Sequence, residues 1–305
     1  MDLQQLLQQL HRGDSRSIGR AISLVEDQHP DAAGILSGLN QTRIEQSLIL
    51  GITGPPGAGK STLTSGLIQQ LRTLGHRVGI VAIDPSSPIS GGAILGDRIR
   101  MMSHALDREV VVRSMATRGR LGGLCASAGA AVRIMAASGC KTVIIETVGI
   151  GQTEMDIIRL ADLTVMVLAP GFGDDIQAMK AGILEVMDLL VINKNDQPGA
   201  EKLALDLGTV FTSAEDRELR LLKTVASEER GVETLLQRIL LLEKKYRQDS
   251  TFRQRRQNSF ALETLDWALE MLRPRILKLI TACDGTDPRL AAQGIIDKLG
   301  QESSE

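Results

Sequence analysis

Aromatic residues are scarce in this chain: four Phe, one Trp and one Tyr among 305 residues. Stacking platforms for nucleic-acid bases are therefore not available in quantity. Cys125, Cys140 and Cys283 stand far apart and give neither a C-x-x-C pair nor a disulfide framework, which suits a reducing compartment. Charge of either sign is in no surplus. Lys plus Arg number 35 against 37 Asp plus Glu, a net charge of −2, so nothing electrostatic points to nucleic acid or a membrane surface. No apolar run approaches the roughly 18 residues of a membrane span. The opening MDLQQLLQQL has no basic segment and is not Arg- or Ser-rich, so neither a secretory signal nor a transit peptide is visible. Together these absences predict a cytoplasmic protein with no nucleic-acid and no membrane partner. With 43% hydrophobic and 24% charged residues, the length suits one large α/β domain plus smaller appendages.

What is present centres on Gly54-Pro55-Pro56-Gly57-Ala58-Gly59-Lys60-Ser61, followed by Thr62. It fits G-x-x-x-x-G-K-[ST], the phosphate-binding loop. The apolar run 47–53 before it reads as a buried strand, and Leu63, Leu67, Ile68 and Leu71 after it recur at helical spacing. Strand, glycine-rich turn and helix in that order is what phosphate binding requires. The glycines let backbone N–H groups turn inward around phosphate oxygens, and the helix N-terminus adds its positive end. Lys60 is placed for the β- and γ-phosphates and the Ser61 hydroxyl for Mg²⁺.

Residues 1–45 read as helical, with Leu3, Leu6, Leu7 and Leu10 on one face and Asp14 placed to cap a second helix carrying Ile18, Ala21, Ile22 and Val25. The run 78–83 is a second buried strand ending at Asp84, and a Pro-, Ser- and Gly-rich loop leads on to Asp97. Either acid alone reads equally as a solvated surface carboxylate; downstream of a phosphate loop both become candidate Mg²⁺ ligands. Further strands are expected at 110–112, 141–146, 163–168, 189–192 and 221–225, with helices at 122–137 and 231–246.

Glu146, at a strand end, is followed three places later by Gly149. In this E-x-x-G the carboxylate lies near Mg²⁺ and the Gly149 N–H is available to a γ-phosphate. Asn193-Lys194-Asn195-Asp196 follows another strand and matches N-K-x-D. The Asp196 carboxylate would accept from guanine N1–H and the 2-amino group; adenine lacks that amino group and would leave the carboxylate unpaired. Asn193 and Lys194 would brace base and loop. Ala226, between Val225 and Ser227, stands where a backbone N–H meets guanine O6. These motifs predict an α/β phosphate-loop NTPase with a mostly parallel central sheet flanked by helices, plus helical extensions at both ends. The expected divisions are 1–45, 46–247 and 248–305. In the last, Leu262, Leu265, Leu269, Leu272, Ile276 and Leu279 form a short a/d seam, packing on its own domain or pairing with a second subunit, and Pro274 is expected to kink or break the helix.

The segments VAIDPSSPISGGAILGDRIRM, ETVGIGQTEMDI and APGFGDDIQAMKAGILEVMDLLVINK resemble the MeaB/ArgK/MMAA family of P-loop GTPases. The resemblance runs from the N-terminal helices to about residue 247, and more loosely to the end. It implies a GTP-hydrolysing chaperone of adenosylcobalamin-dependent acyl-CoA mutases, chiefly methylmalonyl-CoA mutase, that gates cofactor loading, protection or reactivation. GTP or GDP and Mg²⁺ are the implied ligands, and direct binding of cobalamin is not expected. By position, Asp84, Asp97 and Glu146 form the acidic Mg²⁺ surround. The loop carrying Gly171, Gly173, Asp174, Asp175, Gln177 and Lys180 resembles the switch that signals nucleotide state to the mutase. The C-terminal helices resemble a dimerisation arm, implying a homodimer.

Two departures stand out. Asn195 replaces the usual Ala of N-K-A-D, harmlessly, because that side chain points away from the base. Val225 stands where a Ser is usual, which predicts weaker guanine binding with specificity kept. Ile150 follows the E-x-x-G where Ras-like GTPases carry a water-aligning Gln. Slow intrinsic hydrolysis is therefore expected, with a partner completing the site or repositioning Gln152 or a switch residue. Rival readings are a nickel or cobalt insertase, an ATPase or kinase tied to basic amino-acid transport, and a binding module with a dead site. The scattered His and Cys residues argue against the first, N-K-x-D against the second, and intact Lys60, Ser61 and Glu146 against the third.

Overall fold

The structure, a computed structural model, describes residues 2–84, 106–116, 126–147, 153–171, 182–211, 213–280 and 287–301. The chain divides into two compact units, Met1–Ser259 and Phe260–Glu305.

The first unit opens with four helices, α1 (Leu3–His11), α2 (Ser15–Glu26), α3 (Ala32–Ser37) and α4 (Gln41–Gln46). The apolar faces expected here are buried: Leu6 and Leu10 on α1, and Ile18, Ala21, Ile22 and Val25 on α2. Asp14 caps α2, its Oδ2 accepting from the Ser17 N–H at 2.8 Å and the Ser17 hydroxyl at 2.7 Å. The hydroxyl bond first and the N–H bond second hold the Asp14 carboxyl below its usual pKa.

The sheet is built from β1 (Leu48–Thr53), β2 (Val78–Asp84), β3 (Val110–Ala116), β4 (Thr142–Thr147), β5 (Leu163–Leu168), β6 (Leu189–Ile192) and β7 (Leu221–Lys223). Spatial order is β3-β2-β4-β1-β5-β6-β7, and every pairing is parallel. Residues along β1, β4, β5 and β6 are buried without alternation. Helices cover both faces of such a sheet, so its strands read as continuous apolar runs.

Helix α5 (Lys60–Thr73) follows β1, and further on come α6 (Ala126–Ala137), α7 (Thr153–Leu160), α8 (Ile183–Val186), α9 (Ala200–Gly208), α10 (Ala214–Arg220) and α11 (Val232–Gln248). On one face Leu63, Leu67, Ile68 and Leu71 of α5 join Val232, Leu235, Leu236 and Ile239 of α11 over β1 and β5. On the other, Leu184 of α8 and Leu203 and Leu207 of α9 cover Met166, Leu168, Leu190 and Ile192.

At the amino ends of the strands, two buried carboxylates clamp the sheet to the start of α12 (Thr251–Ile280). Asp162 accepts from the Ile49 N–H at 2.9 Å and from Arg256 Nε at 2.7 Å. Asp188 accepts from the Thr164 N–H (2.8 Å), the Tyr246 hydroxyl (2.9 Å) and both terminal nitrogens of Arg255 (2.8 Å each).

The sequence expectations differ from the structure in three places. β3 runs on to Ala116, four residues past the apolar run, because its ladder with β2 continues through Arg113 and Ser114. β7 stops at Lys223, since Val225 instead bridges antiparallel to Arg230. Of the kink or break expected at Pro274, the break is absent: α12 is continuous through it. A proline removes one N–H from the ladder, a penalty of about 3 kcal/mol that a thirty-residue helix absorbs through its other bonds. In the second unit Leu265 and Leu269, on the a/d seam, are more than half exposed, and α13 (Pro288–Gln301) is the last described element.

Candidate nucleotide site

The strand order reverses direction at β1, whose neighbours are β4 on one side and β5 on the other. In a parallel sheet the crevice beyond the carboxyl ends at such a switch point is where ligands bind. The glycine-rich turn leaves β1 there. Gly54 has φ +139°, and a Cβ on it would lie 2.0 Å from the Val167 carbonyl oxygen, so no larger residue fits. Gly59, at φ +89°, hands the chain to α5, and a Cβ there would meet Asn193 Nδ2 at 2.3 Å. Ala58 is buried and Pro56 and Gly57 are exposed at the turn's tip; Thr62 is exposed on α5.

Lys60 is buried, and its Nζ donates to the carbonyls of Gly54 (2.8 Å) and Pro55 (3.0 Å). The ammonium thus lies along the turn it would neutralise phosphate within. Ser61 Oγ donates to Glu146 Oε1 at 2.6 Å. The sheet makes this contact, because Glu146 lies opposite Ile52 of β1 and Ala82 of β2 in the ladders. One step further along, the buried hydroxyls of Thr53 and Thr147 are 3.3 Å apart. Asp84 ends β2, the strand next to β4, in register with Ala116. The Asp84 side chain, Asp97, Gly149, Ile150 and Gln152 lie outside the described residues. So do Gly173, Asp174, Asp175, Gln177 and Lys180 of the expected switch, of which only Gly171, exposed after β5, is described.

Asn193, at the end of β6, is buried and holds three segments at once. Its Nδ2 donates to the Ala58 carbonyl at 2.9 Å; its Oδ1 accepts from the Thr224 hydroxyl and the Ala226 N–H, each at 3.0 Å. Phosphate turn, N-K-x-D loop and the loop after β7 are thereby one unit. Lys194 takes a left-handed φ of +54°, the Asn195 N–H donates to the Thr224 carbonyl at 3.0 Å, and Asp196 is exposed.

At two positions the structure adds to the sequence reading. The Ala226 N–H, the expected partner of guanine O6, donates to Asn193 Oδ1 at 3.0 Å. A hydroxyl stands one residue before Val225: Thr224 donates to Asn193 Oδ1 at 3.0 Å, while Val225 is buried and its N–H donates to the Arg230 carbonyl at 3.0 Å. Ser227 is exposed, in a 3₁₀ turn covering Ala226–Glu228. Thr224 escaped the sequence reading, its only signal being a hydroxyl residue directly after the last strand.

The family model for the methylmalonyl-CoA mutase-associated GTPase MeaB matches residues 18–283. Among curated proteins, a Pyrococcus abyssi protein described as a candidate GTPase is 44% identical over 243 residues, covering 78% of this chain and 75% of the relative. GTPase ArgK of Escherichia coli is 31% identical over 295 residues, 93% of this chain and 88% of its own. Among solved structures, the crystal structure of an LAO/AO transport system kinase superposes with TM-score 0.67 at 23% identity. It covers 98% of this chain and 97% of its own.

Proposed function

The chain belongs to the MeaB family of GTPases and hydrolyses GTP, and from that premise we propose that it is a GTP-driven switch acting on an adenosylcobalamin-dependent acyl-CoA mutase. The partner of choice is methylmalonyl-CoA mutase, named in the description of the matched family. A mouse relative named as a methylmalonic aciduria type A homolog, 37% identical over 200 residues, supports that reading. The single observation that carries the nucleotide half is the Asn193 junction, which joins the phosphate turn, the N-K-x-D loop and the loop after β7 by three hydrogen bonds.

In this reading Lys60 exchanges its two carbonyl partners for β- and γ-phosphate oxygens, and the N–H groups of the turn hold the remaining phosphate charge. Asp196 reads the guanine edge. Ser61 and Glu146 bring a hydroxyl and a carboxylate oxygen within 2.6 Å of each other at the phosphate side. Hard oxygen donors of this kind fit Mg²⁺, with Asp84 and Asp97 completing the acidic surround. When bound, Mg²⁺ would neutralise the charge developing on the transferred phosphoryl group. Water attacks the γ-phosphorus in line with the departing β-phosphate oxygen. With Ile150 after the E-x-x-G, turnover by the chain alone is slow, and the partner completes the site through Gln152 or the 171–180 loop. The exposed Leu265 and Leu269 on α12 support pairing with a second copy.

The test is GTP turnover by the purified chain, alone and with the mutase, with Lys60→Ala as blank. Mutase stimulation that Lys60→Ala abolishes is the expected result. Turnover indifferent to the mutase, with no complex formed, would remove the partner claim and leave the GTPase.

A further inference from the structure

At the other edge of the sheet, where β2 and β4 begin, lies a cavity of about 620 Å³ walled by the N-terminal helices, the start of both strands and α11. That volume is in the range of small-molecule sites. Its wall carries Arg12, Arg43, Arg77 and Lys141 against two acids, Glu109 and Glu243. Glu243 is already bonded to Arg247 at 2.8 Å. None of the four cations makes an ion pair among the described residues.

A bland reading is a solvated basic dent. It fits the exposed Arg12 and Lys141, but not the half-buried arginines. Arg43 Nη1 donates to the carbonyls of His11 (2.7 Å) and Ala137 (3.3 Å), and Arg77 Nη2 donates to the Gly13 carbonyl. Carbonyls orient a guanidinium without cancelling its charge. Arg77 Nε and the neighbouring His11 Nε2 are shielded from solvent and make no hydrogen bond. Four cations facing two acids, with two of the cations part-buried and none in an ion pair among the described residues, are stabilised most by a multiply charged anion with forked oxygens. Among the described residues no Phe, Tyr or Trp lines the cavity, so they offer no platform for a base.

We propose that this cavity is a second ligand site, for a small diphosphate-bearing anion, distinct from the nucleotide site. The two are a strand's length apart, roughly 20 Å for six residues at about 3.3 Å each.

The probe is inorganic pyrophosphate, titrated calorimetrically into the full chain with the phosphate turn saturated by GDP in a buffer without divalent cations. Wild type should bind one equivalent, and raising GDP further should change nothing. The double variant Arg12→Gln/Lys141→Gln, which removes two exposed and unpaired charges, should weaken binding by about tenfold or more; Arg12→Lys/Lys141→Arg should retain it. Gly13→Ala gives an independent check. Gly13 sits at φ +82° and a Cβ there would lie 1.7 Å from Arg77 Nη1, so the substitution should displace that guanidinium and weaken binding. Absence of pyrophosphate heat in wild type, competition by GDP, or unchanged affinity in the double variant would each overturn the proposal. Binding of a tetraglutamate peptide with none of pyrophosphate would also overturn it.

Discussion

Carboxylates at strand ends appear at both edges of the same sheet, and their partners differ. At the amino edge Asp162 and Asp188 meet Arg256 and Arg255, cations that stay charged. Burial alone would lower both arginine pKa values, but bonds to the aspartates and their charge more than reverse this, so both are raised. Tyr246 beside Asp188 is pushed up to about 12 by burial first and the Asp188 charge second, which keeps its hydroxyl a donor. At the carboxyl edge Glu146 meets the Ser61 hydroxyl and Lys60 meets two carbonyls. Guanidinium forks on a carboxylate hold geometry, whereas hydroxyl and carbonyl partners can be exchanged for phosphate oxygens. The first edge holds the fold together and the second is built to change partners.

Breaking the amino edge should give the largest effect. Arg256→Met leaves Asp162, 1% exposed, without its cation, and removing one member of a buried pair costs about 3–5 kcal/mol. Urea unfolding should show that loss as a lower midpoint at unchanged slope. Lys60→Ala comes next and acts in the other currency. It should lower GTP turnover by about 10²–10³-fold, the size of a lost transition-state donor, with thermal unfolding close to wild type. Asn193→Ala sharpens the comparison because it strikes a polar junction of the carboxyl edge that is itself structural. It leaves the Ala58 carbonyl, the Thr224 hydroxyl and the Ala226 N–H without their partner, so GDP affinity should fall by about 1–3 kcal/mol, read by fluorescence titration.

Val225→Ser should be smallest. Val225 is buried, so placing a hydroxyl there costs about 1–3 kcal/mol of stability. Because Thr224 already braces Asn193, GDP affinity should stay at the wild-type value. Tighter GDP binding by this variant would restore the role expected of a Ser at that position.

The described part of the carboxyl edge was legible in the sequence because its determinants are local. A phosphate turn, an E-x-x-G and an N-K-x-D each occupy a few consecutive residues, and parallel strands buried on both faces appear as plain apolar runs. The amino edge was not. Arg255 and Asp188 are 67 residues apart and Arg256 and Asp162 are 94 apart, spacings no periodicity predicts. β3 was read short because the apolar run ends at Val112, while its last residues are held by the β2 ladder and by Arg113 pairing with Glu26 at 2.7 Å. At Val225 the motif suggested a lost brace, and only the fold placed the Thr224 hydroxyl on Asn193.

The division of labour between the edges is tested most directly by GTP turnover of Arg256→Met, normalised to its folded fraction and measured well below its unfolding midpoint. Turnover within about twofold of wild type is predicted, because no bond of the nucleotide site is touched. A fully folded Arg256→Met with turnover as low as that of Lys60→Ala would contradict the account.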